Sequence, residues 1–150
     1  MTDARLEQLS AVEAIKQLKA RYCLYFDARR WEALRDLLAD DMRAVLPSRT
    51  IEGADAFVEA LGASEDDHFH FAGMPVIEVE GDTARGLWAF TNRGALGHYQ
   101  EEYRRVDGAW RITSMEQSWI HPPSPELLSE RTGAFHRVAG QWAKLSRWLR

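Results

Sequence analysis

Apolar residues recur at two different periods along this 150-residue chain. A largely helical period governs the first 62 residues and alternation governs His68 to about Trp119. Ser10-Ala11-Val12-Glu13 reads as a capping box, in which a hydroxyl and a carboxylate satisfy the orphan amides of a helix start. Ile15, Leu18, Tyr22 and Phe26 follow at spacings of three, four and four, which stacks them on one helix face. Asp27-Ala28-Arg29-Arg30 breaks the pattern. Trp31, Leu34, Leu37 and Leu38 then predict a second, shorter amphipathic helix ending near Asp40-Asp41. A short strand is expected over Met42 to Leu46, stopped by Pro47, which has no amide to give a ladder. A third helix is expected over Ala54 to Leu61.

In the second half, His68 and His70 share one face of a strand while Phe69 and Phe71 share the other. Gly73-Met74-Pro75 interrupts, Val76 to Val79 resumes, and Glu80-Gly81-Asp82 is a turn. Strands are expected over Thr83 to Thr91, His98 to Val106 and Trp110 to about Trp119, with Gly94 and Gly97 bracketing the second turn. Asp107-Gly108 between two alternating runs predicts a two-residue hairpin, whose central positions both need positive φ. Pro122, Pro123 and Pro125 form a stiff exit. Ser124 and Pro125 can open a last helix carrying Phe135, Val138, Trp142, Leu145 and Leu149. Helices followed by a hairpin series predict an α+β fold. In it the N-terminal helices pack on a strongly bent, mostly antiparallel sheet, making a cone-shaped barrel with an open mouth, plus a C-terminal helix. The chain reads as one domain over 1–150, with its core at about 8–119 and an extension over 120–150.

Composition narrows the class. Apolar residues are 45%, charged residues 28%, and no apolar run approaches the roughly 18 residues of a membrane span, so no membrane partner is expected. A net charge of −4 argues against nucleic acid. Met1-Thr2-Asp3-Ala4-Arg5 lacks a signal-peptide pattern, which favours the cytoplasm. One cysteine, Cys23, excludes an internal disulfide framework and a thiolate zinc cluster. Six Trp, six Phe and four Tyr either fill the core or line a pocket for a flat apolar ligand.

Several residues can carry chemistry. His68 and His70 suit metal binding, proton transfer, or simple hydrogen bonding at a sheet edge. Tyr22 lies on the apolar stripe, so its phenol oxygen points inward and needs a partner. Asp27 lies off that stripe and reads either as a solvated turn residue or as a buried carboxylate that orients an imidazole. His98 and Tyr99 open a strand after a glycine-rich turn. Glu101 and Tyr103 share a face with Tyr99, while Glu102 and Arg104 share the other with His98, and either face can be the inner one. From Arg131 onward five basic residues and no acidic one suit self-association or a lid.

Ala14-Ile15-Lys16-Gln17-Leu18-Lys19-Ala20-Arg21-Tyr22, followed by Phe26-Asp27-Ala28-Arg29-Arg30-Trp31-Glu32-Ala33-Leu34, resembles the opening of SnoaL-like proteins of the nuclear-transport-factor-2-like superfamily. Gly53-Ala54-Asp55-Ala56-Phe57 resembles their third-helix entry, and the hairpin from Tyr103 to Ile112 their closing strands. The likeness covers about residues 8 to 119. Within the superfamily it is nearest to scytalone dehydratase, bile-acid 7α-dehydratase and hexachlorocyclohexane dehydrochlorinase. That resemblance implies an Asp–His base at Asp27 and His70, with Tyr22 matching a tyrosine one turn before the Asp. Phe26 stands where the scytalone enzyme has its tyrosine, and a second histidine corresponds loosely to His98.

The implied activity is a lyase without cofactor or bound metal, a dehydratase-type elimination on a small cyclic or polycyclic, mostly apolar hydroxylated substrate. Its setting would be polyketide or steroid metabolism. Asp27, His70, Tyr22 and His98 are the expected catalytic residues, and Phe26, Phe71, Tyr99 and Trp119 the expected substrate-binding ones. The expected partners are that small molecule and further copies of the chain, in a homodimer or homotrimer. An isomerase or cyclase on the same fold, a non-catalytic ligand-binding dimer module and a metal site at His68 and His70 are the competing readings.

Overall fold

The computed structural model describes residues 3–64, 69–92 and 95–121. The described elements run, in order, α1 (Asp3–Asp27), α2 (Trp31–Arg35), β1 (Leu38–Val45), β2 (Thr50–Glu52), α3 (Ala54–Gly62), β3 (Phe71–Glu80), β4 (Thr83–Asn92), β5 (Ala95–Val106) and β6 (Ala109–His121). His68 and the tail in which a last helix was expected lie outside the described residues. No helix among the described residues is long and apolar enough to cross a membrane.

The apolar stripe of α1 is buried as its spacing requires: Ala11, Ile15, Leu18, Tyr22 and Phe26 face the core, joined by Lys19 and Cys23. The helix begins at Asp3, about two turns ahead of the capping box, so Ser10 is an exposed mid-helix residue. The segment Ala4-Arg5-Leu6-Glu7-Gln8-Leu9 is made of strong helix formers, which extends the helix past the local signal. The second helix is shorter than its pattern suggests. Leu37 and Leu38 leave it for the sheet, where the Leu37 carbonyl accepts the Ile112 amide and Leu38 pairs with Ile112. Pairing at a buried ladder outweighs one more helical turn. β1 accordingly starts four residues earlier than expected, and β2 carries no alternation long enough to reveal it.

The sheet order is β2-β1-β6-β5-β4-β3, with β1 parallel to β6 and every other neighbour antiparallel. Gly73-Met74-Pro75 does not end the strand that contains it. The register shifts between Gly73 and Val76, and Met74 sits at φ 47°, so the three residues form a bulge within β3. Asp107 and Gly108 take φ values of 50° and 79°, the backbone of the hairpin that the dipeptide predicted.

Alternation sorts the strand residues into two faces. Trp88 and Phe90 of β4, Tyr99, Glu101 and Tyr103 of β5, and Ile112 and Met115 of β6 are buried beneath α1. The opposite face carries Phe71, Val76 and Leu96, all exposed. Gly97 is required where Phe90 crosses it. A Cβ there would stand 2.2 Å from the Ser118 carbonyl oxygen and 2.7 Å from a Phe90 ring carbon. Gly97→Ala is therefore expected to lower stability by about 1–3 kcal/mol through forced displacement of the Ser118 backbone and of that ring, read as a lower midpoint in urea.

Candidate active site

Asp27 is the last residue of α1, where the chain turns out of the helix through Arg29 at φ 53°. A carboxylate at a helix C-terminus opposes the dipole and requires donors. His70, just ahead of β3, supplies them. Its ring Nδ1 lies 2.7 Å from Asp27 Oδ1, and its backbone N–H donates to both carboxylate oxygens at 3.2 and 3.0 Å. The His70 side chain is 6% exposed and that of Asp27 21%. With the Nδ1 proton committed to the carboxylate, the lone pair of the neutral ring resides on Nε2. Asn92, at the end of β4, brings its amide nitrogen to 3.5 Å from that Nε2. The Phe26 ring packs edge-on against the imidazole, with centroids 4.3 Å apart.

Deeper between α1 and the sheet lies a second polar group. Lys19 Nζ contacts Glu101 Oε1 at 2.5 Å, Tyr103 donates to Glu101 Oε2 at 2.5 Å, and Trp88 Nε1 donates to the Tyr103 oxygen at 2.7 Å. The ammonium stands over the Tyr99 ring at 3.9 Å and the Tyr22 ring at 4.7 Å. Tyr22 donates to Met115 Sδ at 3.8 Å, a weak acceptor. Burial holds the phenols of Tyr22 and Tyr99 well above their usual range, so both stay neutral donors.

The sequence-derived site residues thus fall into three groups. Asp27, His70 and Phe26 are in mutual contact. Tyr22 lies next to Phe26 at 6.1 Å between centroids; Tyr99 stacks on Phe90 at 4.2 Å, and Phe90 meets Trp119 at 5.2 Å, all on the inner face. His98 and Phe71 are not with them. The register pairs His98 with Ala89 and Ser118, and Phe71 with Thr91, which puts both side chains on the outer face. Strand alternation is the reason, since neighbours of inward Tyr99 and of inward Ala72 must point outward. Asn92 and the Lys19–Glu101 pair escaped the sequence reading. A carboxylate alternating with two tyrosines was the available signal for the pair, because an inward Glu101 demands a cation. A cleft of about 980 Å³ opens at the other end of α1, lined among others by Glu7, Leu18, Val79, Arg105 and Trp110, with neither member of the dyad.

His70 titrates below the ordinary imidazole value because burial penalises its charged form and Lys19 repels it, which together outweigh Asp27. The neutral imidazole is therefore already present at neutral pH. The unfolded chain, with an imidazole pKa of about 6.5, takes up the proton first as pH falls. His70 thus contributes stability that is complete above that value and is lost as pH drops through the window down to the folded pKa. The acid limb of any His70-dependent rate is expected to have its midpoint below about 6.5, measurable as a pH–rate profile.

A family model described as the SnoaL-like domain matches residues 7–116. The chain belongs to the SnoaL-like family. Among solved structures, this SnoaL-like chain is similar to a nuclear-transport-factor-2-like protein with a cystatin-like fold from Novosphingobium aromaticivorans, at 26% identity over 78% of this chain and 86% of that one, with a TM-score of 0.68. A scytalone dehydratase-like protein from the same organism matches at 23% identity over 79% and 88%, with a TM-score of 0.66. A hexachlorocyclohexane dehydrochlorinase of type 3 from Novosphingobium barchaimii matches at 19% identity over 75% and 88%, with a TM-score of 0.69. Helices packed on an open six-stranded mixed sheet are thus the cone-shaped α+β fold of the nuclear-transport-factor-2-like proteins.

Proposed function

We propose that this SnoaL-like protein is a lyase working without a cofactor, which eliminates water from a small cyclic or polycyclic, mostly apolar hydroxylated substrate. The observation that carries this reading is the 2.7 Å contact of Asp27 Oδ1 with His70 Nδ1, which leaves Nε2 as the base. In the proposed reaction Nε2 takes a proton from the carbon beside an activating group. The C–H electron pair becomes the new double bond as the neighbouring C–O bond breaks, and the departing hydroxyl regains a proton from the imidazolium and leaves as water. Asp27 holds the tautomer and stabilises the imidazolium. The apolar surroundings of the ring, Phe26 first among them, favour a flat apolar substrate. Two of the structurally similar proteins bear names of elimination enzymes, a dehydratase-like protein and a dehydrochlorinase. The exposed row of Phe71, Val76 and Leu96 supports self-association as a homodimer or homotrimer.

The test is Asp27→Asn, assayed on the aldol adduct of benzaldehyde and acetone, whose dehydration gives a strongly absorbing enone. A carboxamide keeps the shape but no longer enforces the Nδ1-protonated tautomer, so turnover is expected to fall on the order of 10²- to 10⁴-fold. Full activity in the variant refutes the dyad.

A further inference from the structure

Removing a proton beside a carbonyl moves negative charge onto the carbonyl oxygen, and a donor aimed at that oxygen supplies much of the rate. The donors that the sequence suggested do not face Nε2. His98 points to the outer face of the sheet, and the Tyr22 hydroxyl is directed at Met115. Asn92 does face it. Phe71 pairs with Thr91, so His70, one residue earlier, lies across from Asn92, and the amide nitrogen is 3.5 Å from Nε2.

That separation has chemical content. It exceeds the roughly 2.7–3.2 Å of a well-formed N–H···acceptor bond, so the amide is held beside Nε2 by a long, weak contact. A base must approach the reacting carbon to about 3–3.5 Å, and a donor must lie about 2.7–3.1 Å from the developing oxyanion. Carbon and oxygen of one C–C=O unit are themselves about 2.4 Å apart, given ordinary bond lengths. A base nitrogen and a donor nitrogen 3.5 Å apart can serve both ends of that unit at once.

We propose that Asn92 is a catalytic residue that receives the substrate's carbonyl oxygen as charge develops on it. This rests on the dyad reading above. His70 Nε2 accepts the α-proton while the C–H pair moves into the C–C bond and the C=O pair onto oxygen. The Asn92 N–H donates to that oxygen without giving up its proton. Collapse of the enolate restores the carbonyl, forms the C=C bond and expels the β-hydroxyl, which leaves as water with the proton returned from His70.

The experiment uses the full chain as wild type, Asn92→Ala, Asn92→Asp and His70→Ala. Two readouts are taken: dehydration of the benzaldehyde–acetone adduct, and binding of 2-naphthol, a planar enol mimic, followed by fluorescence and by the side-chain amide resonance of Asn92. The expected result is binding of 2-naphthol by the wild type with a shift of that resonance, weakened about tenfold in Asn92→Ala. Turnover should fall about 10²- to 10³-fold in kcat with KM changing much less, while the acid limb of the pH profile stays in place. Asn92→Asp keeps the shape and loses the donor, so it should lose turnover equally and move that limb upward; it also stands in if the alanine variant does not fold. Wild-type-like binding and turnover in the Asn92 variants, with His70→Ala inactive, overturns the role of Asn92 and leaves the dyad intact. Full turnover in His70→Ala removes the dyad instead, and the dependence of 2-naphthol affinity on Asn92 then decides the proposal alone: lost affinity supports it, unchanged affinity overturns it. Failure of the wild type to bind 2-naphthol also overturns it.

Discussion

His70→Ala is expected to lower dehydration of a β-hydroxy ketone by 10²- to 10⁴-fold, the usual worth of a positioned general base. The expectation follows from how much of the site converges on one ring. Asp27 takes Nδ1 and the backbone amide of His70, Phe26 packs its edge, and Asn92 stands at Nε2. Alanine leaves a carboxylate that still holds the backbone N–H, so the chain should fold. The hole it leaves faces Nε2's former neighbours. Small imidazole added to the variant is expected to restore part of the lost rate, which a merely structural histidine would not allow. The measurement is kcat for the adduct of benzaldehyde and acetone with and without added imidazole, with urea midpoints recorded alongside.

Lys19→Met is expected to produce the largest loss of stability, about 3–5 kcal/mol. Lys19 is 1% exposed and so is Glu101, so the variant strands a carboxylate in the interior with, among the described residues, only the Tyr103 hydroxyl to solvate it. Removing both charges, as Lys19→Met with Glu101→Gln, should recover most of that loss, because desolvating an ion pair offsets most of its mutual attraction. Urea midpoints of the two single variants and the double variant give the coupling between the partners. A single-variant cost below about 1 kcal/mol would be the value of a surface pair, and would show that the pair is solvated in solution.

How far the chain itself announced this arrangement varies from element to element. The α1 stripe and the Asp107-Gly108 turn were legible because each depends on local periodicity or on φ at one dipeptide. Asp27 was not legible from period alone. Its inward position depends on donors that arrive from His70, 43 residues away. The pattern around Leu37 and Leu38 misled because buried helix and buried strand share the same apolar run, and only the partner Ile112 decides between them. Which face of β5 looks inward stayed open until the sheet was assembled, which put Tyr99 inside and His98 outside. Asn92 was invisible because a lone amide at a strand end carries no period at all.

The double grip of Asp27 on His70 has one more consequence. The same carboxylate that selects the ring tautomer also pins the main chain entering β3 to the end of α1. Nε2 is thereby referenced to the seam between helix and sheet, and its aim is a property of that seam. Changes that slide α1 along the sheet, even far from the ring, should detune the base while leaving every reacting group in the sequence untouched.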